Sequence, residues 1–191
     1  MSRLQLQTID SAADDAKARL ETAQKNNGFL PNLVRLLANA PTALETYQTV
    51  SAINGRASLT LAEREAVQIT AAVVHGCGFC VAGHSAVADK KARLGPDVIT
   101  ALRDRDGVPD ARLDAVARFT EAVIATRGAV ADADLAAFRA AGFDDQSALE
   151  VVLGVSLATL CNFANNLGQT ELNPELAAYE WNGPSSPVTA A

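Results

Sequence analysis

Basic clusters are missing from this chain. Its lysines and arginines are scattered, with only short pairs such as Lys90-Lys91, against a net charge of −6. Nothing in that pattern would release counterions from a nucleic acid or hold an anionic membrane, so neither partner is expected. Hydrophobic residues make up 49%, yet no apolar run reaches the roughly 18–20 residues that a membrane span requires. The opening stretch "MSRLQLQTIDSAADDAKARL" has no apolar block followed by a small-residue cleavage site, so no secretory signal is expected and the expected location is cytoplasmic. Cysteine and histidine are scarce as well, with three and two copies in 191 residues. In a reducing compartment a close cysteine pair is more often catalytic or metal-binding than structural.

Sustained period-two strands, internal repeats and dividing linkers are also absent. The pattern that remains is helical almost throughout. A first helix is expected behind cap residues Asp10 and Ser11, closing at Asn26, Asn27 and Gly28. "LPNLVRLLAN" reads as a short amphipathic segment, and Pro41 restarts a helix at a first-turn position. Thr60 and Glu63 have capping-box spacing, which gives Glu63 a structural task and leaves Glu65 without one. Helices are further expected from Cys77 to about Arg93, with Gly95 and Pro96 beyond it, and over 97–104, 110–127, 132–141 and 145–167. The last of these is strongly apolar and reads as a buried central helix. The fold class is all-α: a single helical domain over 28–175, an N-terminal helical arm over 1–27 and a C-terminal tail over 176–191, loose in its last stretch "WNGPSSPVTAA".

Residues 75–84, "HGCGFCVAGH", gather two of the three cysteines and both histidines. Cys77 falls at the start of a helix, where unpaired first-turn amides and the helix dipole favour a thiolate. Cys80 and His84 follow at helical spacing on the same stripe, and a histidine one turn from a thiol can accept its proton or stabilise the anion. Helical i, i+3 neighbours have Cβ atoms about 5–6 Å apart, against roughly 3.5–4.5 Å in a disulfide. An imperfect first turn at Gly78 can close that gap, and the strained bridge would be reducible. Upstream, Glu65, Gln68, Ala72 and His75 form one line on the preceding helix. If the two helices fold back on each other, Glu65 can reach the thiol–imidazole pair. The dipole argument by itself favours Cys77 as the more acidic thiol. Zinc would want four ligands, and no second cysteine pair follows, so no metal is expected. His75 reads as a helix-end residue, and Cys161 as a small buried hydrophobe. Tyr179 and Trp181 read as docking the tail or touching a neighbouring subunit.

Glu65, Cys77, Cys80 and His84 in that spacing resemble the alkylhydroperoxidase D-like branch of the carboxymuconolactone decarboxylase family. "GFLPNLVRLLANAPTALETY" is similar to the segment preceding the motif in the peroxidase-related members, and "CNFANNLGQTELN" to their asparagine-rich C-terminal stretch. The resemblance covers roughly residues 28 to 175 and implies an all-helical domain that assembles into dimers, trimers or hexamers. The activity it implies is that of a thiol peroxidase. Under it, Cys80 is the peroxidatic thiol, Cys77 resolves it to a Cys77–Cys80 disulfide, and His84 with Glu65 forms the proton relay. No cofactor is implied. The implied partners are a hydroperoxide substrate and a dithiol reductant protein, thioredoxin-like or lipoyl-type. The chain departs from the best-known members in carrying Phe79 where they have a further histidine just before the second cysteine. That places it nearer the peroxidase-related members.

Two other functions fit parts of the same pattern. The family includes a ring-lactone decarboxylase, a lyase, although members of that kind generally lack the cysteine pair. A redox sensor would use the same low-pKa thiol without turnover. For either enzyme a substrate pocket is expected beside the motif, lined by Phe79, Val81 and residues of the 145–167 helix.

Overall fold

A computed structural model describes residues 2–183. Within them the chain is helical without strands: α1 (Asp14–Asn27), α2 (Asn32–Leu37), α3 (Pro41–Asn54), α4 (Leu61–Val74), α5 (Gly78–Lys90), α6 (Pro96–Asp104), α7 (Ala111–Thr126), α8 (Asp132–Ala140), α9 (Asp145–Gly168) and a 3-10 helix, Pro174–Tyr179. α4 is the central element and packs against α5, α7 and α9. Its sequence explains this position, since every residue from Ala66 to Val73 is buried.

The ends of α4 are fixed locally. At its start the Thr60 hydroxyl accepts from the Glu63 amide, while the Glu63 carboxylate accepts from the Thr60 amide at 2.8 Å. Glu63 also receives Arg112 of α7 at 2.9 Å, and that guanidinium lies 4.1 Å over the Phe143 ring. Burial pushes the Glu63 pKa up, but these donors outweigh it and leave it lowered. At the far end Gly76 takes the left-handed conformation, φ +65°. The amides of Gly76 and Cys77 return to the carbonyls of Val73 and Ala72. This Schellman closure turns the chain within three residues and delivers Cys77 directly to the N-cap of α5.

Two boundaries and one element differ from the sequence expectation. α1 begins at Asp14 rather than behind Asp10 and Ser11, because the Ser11 and Thr8 hydroxyls bond to each other and leave Ala13 as the uncapped N-cap. α5 ends at Lys90 rather than near Arg93, because Arg93 adopts φ +59° and the Leu94 amide returns to Ala88. The 3-10 helix at 174–179 gave no sequence signal. The leading arm docks on its own chain: Leu20 is fully buried, and Arg19 pairs with Glu45 of α3 at 2.6 Å. Residues 184–191, half of the expected 176–191 tail, lie outside the described residues.

By length and composition α9 is apolar enough to cross a membrane, although it holds no consecutive apolar run of that length. Its Ser, Thr and Asn residues interrupt the consecutive apolar run without lowering the average far. One stripe, with Val151, Gly154, Leu157, Ala158 and Cys161, is buried in the core. A Cβ on Gly154 would stand 2.8 Å from Val67 Cγ1, so the missing side chain sets how closely α9 lies on α4. Leu149, Val152, Phe163 and Leu167 remain exposed along the opposite side.

Candidate active site

The α4–α5 hairpin brings the sequence constellation together. Glu65 Oε2 lies 2.8 Å from His84 Nδ1, 19 positions along the chain. A carboxylate only accepts, so Nδ1 carries the hydrogen and Nε2 is left to take or give a proton. Burial disfavours the imidazolium, but the Glu65 charge and hydrogen bond outweigh it, and the His84 pKa is raised above the ordinary histidine value.

Cys77 and Cys80 are buried, unbridged thiols. The Cys77 sulfur caps α5, accepting the Cys80 amide at 3.4 Å. The hydrogen bond from the Cys80 thiol is the largest influence lowering the Cys77 pKa. It acts against burial and is helped by the capping amide, Asn165 and the His84 charge. The Cys80 thiol is pushed well up by the same thiol–thiol hydrogen bond and by burial. Of the two sulfurs Cys77 is therefore the more acidic. That agrees with the helix-dipole expectation.

Access runs the other way. A cavity of about 600 Å³ is lined by Cys80, His84, Phe79, Tyr47 and Leu157, among others, and Cys77 is not in its wall. The backbone of Trp181 lies 3.2 Å from a Cβ built on Gly78, so the C-terminal segment covers the end of α5 beside Cys77. Of the expected lining, Phe79 and α9 are in place, whereas Val81 is fully buried in the core. Phe79, Cys80, Gly83, His84 and Val87 line one face of α5, and Val81 falls on the far side of the helix.

α9 supplies what the sequence reading missed. Asn165 Nδ2 donates to Cys80 Sγ at 3.2 Å. Asn162 Nδ2 lies 3.1 Å from His75 Nδ1, and Asn166 donates to the His75 carbonyl at 2.8 Å. His75 thus caps α4 and rests edge-on against Phe163, away from the thiols. Cys161 does reach the cavity, but burial pushes its thiol up to about 12 and keeps it neutral. Among the described residues no group of three or more His, Cys, Asp or Glu is arranged to hold a metal ion. The only prior signal for these asparagines was their clustering in "CNFANN".

The model of the Carboxymuconolactone decarboxylase family matches residues 39–141, a segment that includes Glu65, both cysteines of the pair and His84. Among solved structures, the chain is similar to a peroxidase-related protein from Ralstonia eutropha JMP134, described as an alkylhydroperoxidase AhpD core. The TM-score is 0.81 at 25% identity, covering 92% of this chain and 94% of that one. A peroxidase-related protein from Silicibacter sp. TM1040 follows with TM-score 0.79 at 20% identity, covering 92% and 93%. The debrominase Bmp8, as a cysteine-to-alanine variant in complex with 2,3,4-tribromopyrrole, has TM-score 0.74 at 14% identity, covering 93% and 94%. The last two likenesses concern the fold alone. No curated protein matches the chain.

Proposed function

This chain belongs to the carboxymuconolactone decarboxylase family as an alkylhydroperoxidase D-like member, and from that premise we propose that it reduces organic hydroperoxides with the Cys77–Cys80 pair. The observation that carries the reading is a cavity whose wall holds the Cys80 sulfur beside an imidazole oriented by Glu65, with an unjoined second thiol one helical turn away.

The Cys80 proton passes to Cys77 or to His84 Nε2. The Cys80 thiolate attacks the terminal oxygen of R–O–O–H, the O–O bond breaks, and the leaving alkoxide takes a proton from the imidazolium. Cys80 is now a sulfenic acid whose sulfur is two electrons more oxidised. Cys77 passes its proton to the neutral imidazole and attacks that sulfur, the displaced hydroxide takes the proton back and leaves as water, and the pair becomes a disulfide. An external dithiol returns the two electrons. Asn165 donates to the sulfur throughout and stabilises its anionic forms.

The test is intact-mass and peptide mapping after one equivalent of tert-butyl hydroperoxide. Wild type is expected to lose two hydrogens in a Cys77–Cys80 disulfide, and Cys77→Ser to stop at a sulfenic acid on Cys80. A sulfenic acid on Cys77 in the Cys80→Ser protein would give the attacking role to the more acidic thiol. Thiols that stay reduced in wild type reject the reading. Oxidation that no dithiol reverses leaves a sensor in place of an enzyme.

The exposed stripe Leu149, Val152, Phe163 and Leu167 on α9 supports a second copy of the chain as its partner, because contiguous apolar surface of this kind marks interfaces. Sedimentation of wild type as an oligomer, and of Phe163→Glu/Leu167→Glu as a monomer, is the expected outcome. A wild type that sediments as a monomer rejects it.

A further inference from the structure

The cavity above Cys80 has a second end, and its chemistry differs from the first. We propose that the substrate is a hydroperoxide on a long apolar chain ending in a carboxylate, with the hydroperoxide at Cys80 and the carboxylate at Lys90 and Lys91. This rests on the hydroperoxide reading above and names its substrate class.

One wall of the cavity is a single stripe of α5: Cys80, Gly83, His84, Val87, Lys90 and, at the C-cap, Lys91. At 1.5 Å per residue the stripe runs about 15 Å from Cys80 to Lys90, the length of an extended chain of roughly a dozen carbons. A small peroxide fills only one end of that path. Nearer the thiol end stands Gly83, where an added Cβ would meet no atom within 4 Å, so the wall there is open. The rest of the lining mixes Phe29, Leu33, Leu157 and Leu176 with Asn26, Asn27, Ser51 and Gln68, and its apolar part suits a hydrocarbon segment.

The rim reverses the charge of the rest of the molecule. In a chain of net charge −6, two lysines stand at the mouth, and neither ammonium is in an ion pair among the described residues. Lys90 Nζ is held 5.4 Å over the Tyr179 ring, and the Tyr179 hydroxyl donates to Asp89 at 2.5 Å. That bond engages the neighbouring Asp89 carboxylate, and no ion pair holds the Lys90 ammonium among the described residues. Glu175 is the one carboxylate in the lining and offsets only one of the two charges. Lysines at a helix C-terminus also oppose the helix dipole. That accounts for their place in the sequence of α5 but not for their seat on the rim of the cavity that holds Cys80.

The experiment begins with binding, which needs no turnover. Calorimetric titration of the reduced protein with linoleic acid and with methyl linoleate is expected to show the acid binding roughly ten-fold more tightly, about 1.4 kcal/mol. In Lys90→Gln/Lys91→Gln that preference should collapse toward parity, and in Gly83→Leu both ligands should weaken together. Equal binding of acid and ester to wild type, or a preference that survives the double substitution, overturns the inference. A second arm follows thiol oxidation by linoleic acid hydroperoxide, its methyl ester and tert-butyl hydroperoxide. Oxidation by all three without preference for the acid removes this inference and leaves the peroxidase reading standing. Tight, lysine-dependent binding of the acid with thiols that no hydroperoxide oxidises does the reverse.

Discussion

Replacing His84 by glutamine is expected to slow the oxidation of Cys80 by tert-butyl hydroperoxide roughly 100- to 10,000-fold near neutral pH, the range over which a positioned acid–base group contributes. Two losses combine. The leaving alkoxide no longer finds a proton donor, and the cation that lowers the Cys77 pKa is gone. Stopped-flow measurement of thiol loss under a large excess of peroxide reads the step directly. A rate within a few-fold of wild type would remove His84 from the chemistry.

Glu65→Gln gives the same argument a sign. In wild type, burial lowers the His84 pKa and Glu65 more than restores it, so the imidazolium persists above the ordinary histidine value. With the carboxylate replaced by a neutral amide, only the Cys77 sulfur still opposes burial and the pKa falls. The alkaline limb of the pH–rate profile, where His84 loses its proton, therefore moves to lower pH. The thiolate limb moves to higher pH, because Cys77 loses a cationic neighbour. The bell narrows from both sides. A profile that is merely scaled, with both limbs in place, contradicts the relay.

What could be read from the sequence was what lies within about two turns along the chain. The Thr60–Glu63 box is a three-residue pattern, and Cys77, Cys80 and His84 share a stripe by helical spacing alone. Glu65 required one further step, that α4 and α5 fold back, and the Gly76 turn between them made it accessible. Asn165 needed much more. It reaches Cys80 from 85 positions away, and only because Gly154 lets α9 lie against Val67. In the sequence that glycine is one small residue in an apolar run. The lysine pair at the end of α5 showed only as a short basic pair, because a cavity rim is defined by elements far apart in sequence. The α1 and α5 boundaries failed for local reasons that propensity does not encode. One is a hydroxyl pair that leaves the cap elsewhere, and the other an arginine in the left-handed region.

The largest stability effect is expected at a site with no part in the chemistry. Phe138 of α8 is 2% exposed and stacks between Phe119, at 4.2 Å between centroids, and Phe143, at 4.4 Å. Phe138→Ala removes the middle ring of three, and a buried Phe→Ala change costs about 3–5 kcal/mol because the cavity left behind collapses only in part. Against a total of about 5–15 kcal/mol, the variant should unfold roughly 10 °C or more below wild type, as thermal circular dichroism would show. α4 separates this cluster from the thiols. Glu63 faces Arg112 and the stacked rings on one side, while Glu65 and Gln68 face α5 and α9 on the other. Well below its transition, Phe138→Ala should therefore oxidise at the wild-type rate with an unchanged pH profile. A slowed rate in the folded protein would mean that α4 transmits the packing of the ring stack to Glu65, and the scaffold and the relay would then have to be treated as one unit.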